Sequence, residues 1–441
     1  MDTTESVTGG ITRRDCLRRS GLGLMLGSLG NLAPLMFAGC DLVKVRSARK
    51  KVKVGMLHSQ TGKMAISETA LRDTELLAIE EINAAGGVLG FEIDPVVLDG
   101  RSSTTVFSKQ AKKLLRDKNV VAVFGCWTSS SRKAVLPIFE ESNRLLFYPV
   151  QYEGNESSKN IIYTGPTPNQ QILPAIDWLL SEAGGSKKQI ALIGSDYIFP
   201  QTANLIINTY LQSKGIEGLK PEYLPLKATN EEVAAAVGRI VKSGADAIFS
   251  TINGETNIEF YRQLLDQGIT ADKVPVVATS VGEEELRNIR PLYVQGHYAA
   301  WSYFQSIETE RNQDFVSRFQ REYGYDRVIG DPMEAAYTSV YLWKQAVEKA
   351  GNFATTDVRK AIQSGIPFEA PGGTIQIDPK TQHTFMHFRL GRIRKNRQFE
   401  IVHQSNEPIA PEPYPQFVFP GWHCDWTADG LTRGPEVLIG S

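Results

Sequence analysis

Val52-Lys53-Val54-Gly55-Met56-Leu57 decides the fold, because the chain runs on through the polar loop His58 to Ser67 into Leu71, Leu76, Ile79 and Ile82 at spacings of three to five. A short apolar run leading into helical spacing opens a β-α unit. Gly86-Gly87 stops the predicted helix. The unit then repeats, with Phe91 to Leu98 as a strand, Val106 to Leu115 as a helix, and Val120 to Phe124 and Leu145 to Val150 as further strands. Such alternation predicts a parallel sheet covered by helices on both faces.

After the Pro- and Gly-bearing segment Gly165-Pro166-Thr167-Pro168 the pattern starts again. Gln189 to Gly194, Glu222 to Leu226, Ala247 to Thr251 and Pro275 to Thr279 read as strands, with helices over Thr202 to Gln212 and Thr256 to Gln267. Asn230 is read as the cap of a helix through Val233, Val237 and Ile240. The fold class is therefore α/β, with two doubly wound parallel-sheet lobes. Helical signals at Asp314 to Glu322 and Pro332 to Lys349 return to the first lobe, and strand-like sequence from Gly373 to Val402 completes the second. The expected division is 51–165 plus 301–370 for the N-terminal lobe, 166–300 plus 371–405 for the C-terminal lobe, and 406–441 for an extended, proline-bearing tail. Chain crossings between two lobes form a multi-strand hinge beside a cleft.

The N-terminus reads as an export signal. Thr12-Arg13-Arg14-Asp15-Cys16-Leu17-Arg18 precedes an apolar stretch from Gly21 to Phe37, interrupted by Asn31 and Pro34. That stretch is too short and broken for a membrane span. The paired arginines match twin-arginine export, and Phe37-Ala38-Gly39-Cys40 resembles a bacterial lipobox. Residues 1–39 are thus expected to be removed and Cys40 to carry lipid, tethering a periplasmic body to the membrane face. Removing them takes away 4 of 48 basic and 3 of 49 acidic side chains and leaves 44 against 46. That near balance gives no basic excess for nucleic acid. With Cys16 lost, Cys126 and Cys424 remain, and both are expected as buried free thiols.

The chemistry gathers where strands end: Gly125-Cys126-Trp127-Thr128-Ser129-Ser130, Phe147 to Gly154, and Gly194-Ser195-Asp196-Tyr197-Ile198-Phe199-Pro200. In α/β sheets ligands bind at the carboxyl ends of strands. These strings hold hydroxyls, an amide and aromatic faces with no nucleophile–base pair. A Walker A string and a Gly-x-Ser-x-Gly elbow are absent. His383 and His387 lie on an alternating, strand-like stretch, and His423-Cys424 has no second pair, so no metal site is expected. No enzyme and no cofactor are predicted.

The series Gly125 to Ser129, Tyr148-Pro149, Tyr152-Glu153-Gly154, Gly165 to Gln170, Gly194 to Ile198 and Phe249-Ser250-Thr251, with Asp331 to Tyr337, resembles the type I periplasmic binding proteins. Within them it resembles the urea- and short-chain-amide-binding branch, that of the urea-binding subunits of urea ABC transporters. The likeness runs from about Lys51 to about Tyr414. It implies a clamshell with an interlobe ligand, and delivery to an ABC permease driven by ATPase subunits. It also implies that Trp127, Ser129, Tyr148 and Gln151 line the first-lobe wall and that Tyr197, Phe199, Ser280 and Thr251 face them.

Urea is planar and uncharged, with four N–H donors around one carbonyl, so a dry site must supply several acceptors and a donor. Ser129, Ser280, the Gln151 amide oxygen and backbone carbonyls at the strand ends are the expected acceptors, and Tyr197 or a backbone N–H the expected donor. Relatives that sense aliphatic amides carry Tyr, Pro and Tyr where this chain has Trp127, Gln151 and Phe199, and a polar Gln151 matches the second amino group of urea. Other readings are a receptor for amides or branched-chain amino acids, an amide sensor acting on a partner protein, and a hydrolase. Read blandly, Ser129 caps a helix starting near Arg132, and Ser280 caps Glu283 to Arg287.

Overall fold

Alternating apolar residues such as Val52, Val54 and Met56 bury one face of strand β1 (Lys51–His58), and the computed structural model describes residues 49–422, 424 and 425 around it. The expected leader and Cys40 lie outside the described residues. The first lobe continues with α1 (Ala65–Ala84), β2 (Glu92–Asp99), α2 (Thr104–Lys112), β3 (Ala122–Gly125), α3 (Ser129–Ser142), β4 (Leu145–Tyr148) and β5 (Ile161–Tyr163). Its strands are parallel, in the order β2-β1-β3-β4-β5.

The second lobe opens with α4 (Pro168–Leu180), β6 (Ile190–Ser195), α5 (Ile198–Ser213), β7 (Glu222–Leu224), α6 (Asn230–Lys242) and β8 (Ala247–Thr251). It goes on through α7 (Thr256–Asp266), β9 (Val276–Ala278), α8 (Glu283–Leu286), α9 (Pro291–Val294) and β10 (Tyr298–Trp301). The chain then adds α10 (Glu310–Tyr323), α11 (Asp331–Ala350) and α12 (Thr355–Ile362). Met333, Ala336, Val340 and Trp343 of α11 share the first-lobe core with Val54, Phe124 and Phe147.

The stretch read as strand-like, Gly373 to Val402, is several antiparallel strands. With β11 (Pro367–Ala370), strands β12 (Gly373–Ile377) and β13 (Thr384–Phe385) form a separate sheet that runs across residue 370. Strands β14 (Arg389–Ile393) and β15 (Phe399–Gln404) join the second-lobe sheet, in the order β15-β14-β10-β9-β8-β6-β7. That sheet is mixed, because β14 runs antiparallel to β10 and to β15. Its parallel part shows why continuous apolar runs form central strands. Ile193, Ile248, Val276 and Ala299 pack on one face, while Leu192, Phe249, Val277 and Ala300 pack on the other.

Helix α6 is capped by Thr229, whose hydroxyl accepts from Glu232 N–H while the Glu232 carboxylate accepts from Thr229 N–H. This corrects the cap at Asn230 by one residue: the Thr-x-x-Glu pair satisfies two backbone donors where Asn230 would meet one. The tail is tied down by a bridge between Met386 and Ile409 and by the Pro413 carbonyl, which accepts from Asn155 N–H at 2.6 Å.

Candidate functional site

The turn after β3 positions the first wall. Gly125 (φ 151°) and Cys126 (φ 67°) both have positive φ, and a Cβ on Gly125 would lie 2.2 Å from the Leu57 carbonyl oxygen. Only glycine fits that approach. The reversal presents Trp127 and starts α3 at Ser129, with Thr128 as its cap, accepting from Ser131 N–H at 3.1 Å. Ser129 therefore does not cap a helix starting near Arg132. Its hydroxyl donates to the Glu153 carboxylate and accepts from Arg132 Nη1 at 3.2 Å.

Arg132, fully buried, organises this wall. It donates Nε to Glu156 at 2.7 Å and Nη2 to Glu153 at 3.0 Å, and its guanidinium lies 4.8 and 4.6 Å from the ring centres of Tyr148 and Tyr152. Burial works to raise the Glu156 carboxyl, but Arg132 and Lys133 outweigh it and hold the group at about 2. Tyr148 donates to the Trp127 carbonyl at 2.6 Å, so that phenol braces the strand-end turn.

Gln151 reaches from the first lobe into the second. Its Nε2 donates to the Thr279 carbonyl at 2.9 Å and to Ser280 Oγ at 3.3 Å. A carbonyl can be met only by the amide nitrogen, which fixes the side-chain orientation. Gln151 Oε1 and Thr279 Oγ1 are buried without a hydrogen-bond partner in the protein. An unpaired buried polar atom is costly unless something else satisfies it.

The remaining predicted residues divide. Tyr197 is half-buried at the start of α5, and its ring centre lies 6.4 Å from that of Phe199. Phe199 packs inside the second lobe with Leu192, Ala203, Ile207 and Phe249. Thr251 is fully buried in β8, its hydroxyl 3.4 Å from the Ile193 carbonyl. Ser280 does not cap α8, whose cap is Gly282.

A cavity of about 120 Å³ lies between the lobes, lined on the first-lobe side by Met64, Glu68, Ser102, Thr128 and Ser131 and on the second-lobe side by Tyr197 and Leu226. Of the predicted contacts, only Tyr197 is part of this lining. Sequence reading missed Glu68 and Ser102; Ser102 follows the end of β2, which was the available signal, while Glu68 lies in the first turn of α1. A larger hollow of about 460 Å³ beside His387 and Glu407 lies on the β11-β12-β13 sheet, away from those strand ends. His383 is buried with its ring stacked 4.1 Å from that of Tyr163, and burial lowers its pKa to about 3. Among the described residues there is no group of three or more metal-binding side chains. Cys126 and Cys424 are both buried and are not joined in a disulfide.

Two α/β lobes thus meet over a small polar cavity lined from both sides. Residues 52–420 match the family described as periplasmic binding protein domain, and the chain belongs to that family. Among relatives, the Leu/Ile/Val-binding protein homolog 6 of Brucella melitensis biotype 1 is 23% identical over 316 residues, which is 68% of this chain and 78% of the relative. A 123-residue stretch, 27% of this chain, is 32% identical to a Geobacillus stearothermophilus protein named limonene hydroxylase, but spans only 22% of that protein's length. Among solved structures, a solute-binding protein of an ABC transporter from Rhodopseudomonas palustris BisB5, in complex with 3,4-dihydroxybenzoic acid, is similar with a TM-score of 0.74. It is 20% identical, with 82% of this chain and 99% of that chain covered. Family membership places this chain among binding proteins rather than enzymes.

Proposed function

We propose that this chain is an extracytoplasmic receptor that captures urea between its lobes and delivers it to an ABC permease and its ATPase subunits. The observation that carries the reading is Gln151, at the lobe contact and outside the lining of the 120 Å³ cavity, whose Nε2 is bound to Thr279 while its Oε1 is buried and unpartnered. A ligand with N–H donors on both sides of its carbonyl satisfies such an oxygen, and a methyl group does not. The small cavity, about 120 Å³, supports a small ligand. In this reading Trp127, Tyr148 and Tyr197 exclude water, while Ser129 acts through Glu153 and Arg132.

A second reading is a receptor for carboxylate-bearing solutes. It is favoured by the exposed Lys63 in the cavity lining and by the relatives, one named for leucine, isoleucine and valine and one holding a benzoic acid. Calorimetric titration with urea, acetamide, leucine and 3,4-dihydroxybenzoate separates the two. Saturable urea binding with no release of ammonia is the expected result, and binding of leucine or the benzoate alone would overturn the urea reading. Anchoring through lipid on Cys40 and division into the two lobes at the expected boundaries remain part of the proposal. Mass spectrometry of exported protein showing an unmodified Cys40 would overturn the anchor.

A further inference from the structure

Glu68 stands apart from the other cavity residues because its carboxylate is buried without an ion-pair partner among the described residues, although the exposed Lys63 lines the same cavity. It lies in the first turn of α1, is 1% exposed, and accepts from Ser59 N–H at 2.5 Å through Oε2. Oε1 makes no hydrogen bond, and Glu68 joins no ion pair, among the described residues. The nearby His58 pairs with Glu75 instead, at 2.8 Å. Three of the hydroxyls around the cavity are already engaged, while those of Ser103, Thr104 and Ser130 also line it. Ser102 Oγ accepts from Met64 N–H at 3.0 Å, Ser131 Oγ donates to the Thr128 carbonyl at 2.8 Å, and Thr128 Oγ1 donates to Ser131 Oγ at 3.1 Å. The open polar capacity of the cavity is therefore one buried carboxylate oxygen, the hydroxyls of Ser103, Thr104 and Ser130, the exposed Lys63 and, from the second lobe, the Tyr197 phenol.

We infer that Glu68 is a specificity-determining residue of the interlobe cavity, ranking ligands rich in N–H donors above ligands that offer only a carboxylate. The inference rests on this cavity being the ligand site, and it deepens the proposed function by giving a reason for the ligand class. An ionised carboxylate accepts and cannot donate, so an amide or ammonium N–H meets it favourably. A second carboxylate placed against Glu68 adds like-charge repulsion, which works against the pull of the exposed Lys63 in the same lining.

Burial pushes the Glu68 carboxyl up to about 7, with His58 and the Ser59 N–H opposing that rise. The groups around it are His58 at the end of β1, Asp99 at the end of β2, Cys126 after β3, Glu75 and Arg72 on α1, and the exposed Lys63, which lines the same cavity. From the second lobe come Tyr197 across the cavity and Glu285, bonded to the neighbouring Ser67. If N–H donors select the ionised form, their affinity is full above about pH 7 and falls as pH drops below that value.

The test is calorimetry on the whole mature protein, as wild type, Glu68→Gln and Glu68→Asp, with urea, acetamide, leucine and 4-hydroxybenzoate at acidic, neutral and mildly basic pH. The expected result is that whichever of urea, acetamide and leucine the wild type binds is held about tenfold more weakly by Glu68→Gln, with the pH dependence lost. Glu68→Asp keeps that dependence, which separates charge from damage to the fold. An unchanged affinity and pH profile in Glu68→Gln overturns the inference. If the wild type takes leucine and not urea, the urea reading falls while the Glu68 comparison still decides. If it takes only 4-hydroxybenzoate, both fall.

Discussion

Ser67 Oγ donates to Glu285 Oε1 at 3.0 Å, a hydrogen bond between the first turn of α1 in one lobe and α8 in the other, 218 residues apart in sequence. Glu285 Oε2 also accepts from Gly282 N–H at 3.0 Å, which holds the carboxylate in place. With the Gln151 to Thr279 bond, two polar contacts bridge the lobes. Each of these bonds exists only while the lobes are together, so each favours the closed form over an open one.

Ser67→Ala removes such a bridge without touching the cavity lining. A hydrogen bond to a carboxylate contributes about 1.5 to 3 kcal/mol, and sharing that between lobe closure and solvent leaves roughly a three- to tenfold loss of ligand affinity. Small-angle scattering should show a smaller ligand-induced compaction at subsaturating ligand. Unchanged affinity and unchanged scattering would show that closure does not depend on this contact.

The Arg132 cluster predicts acid behaviour. Glu156 is held at about 2 against an ordinary value of 4.5, so its ion pair stabilises the fold fully above about pH 4.5, and the contribution is lost as pH falls towards 2. Glu156→Gln should flatten the fall in melting temperature over that acidic window. Arg132→Met leaves two buried carboxylates without their guanidinium and should cost about 3 to 5 kcal/mol at neutral pH. Thermal melts followed by circular dichroism measure both, and an Arg132→Met protein that melts like wild type would refute the role.

The alternation of strands and helices was legible because central parallel strands such as Ile190–Ser195 and Ala247–Thr251 are continuous apolar runs between helical spacings. Strand β5 was not, since Ile161–Tyr163 is three residues long and shows no period. Tyr197 was legible as a strand-end residue. Phe199, two residues further, is carried by the first turn of α5 into the lobe interior, a direction that spacing alone does not reveal. Glu68 was missed for a different reason. A glutamate in the first turn of a helix reads as a solvated, dipole-matched residue, and its burial comes from the loops of β1 and β2 and the opposing lobe, which no local pattern encodes.

The Gln151 side chain links lobe contact to ligand choice. Its nitrogen faces the Thr279 carbonyl at 2.9 Å, which leaves Oε1 as the buried acceptor. Gln151→Leu removes both functions, while Gln151→Glu keeps an acceptor but loses the donor to Thr279. If Oε1 accepts from the second amino group of urea, Gln151→Leu should weaken urea binding by about 1 to 3 kcal/mol, because a desolvated N–H loses its partner. Acetamide presents a methyl group there and should lose only the share that comes from weaker lobe contact. The informative quantity is therefore the ratio of the two affinities, since damage to closure lowers both together. A ratio that falls about tenfold or more in Gln151→Leu places the amide oxygen against the ligand. An unchanged ratio, with both affinities reduced, would make Gln151 a bridge between lobes and nothing more, and would move the search for selectivity to Trp127 and Tyr197.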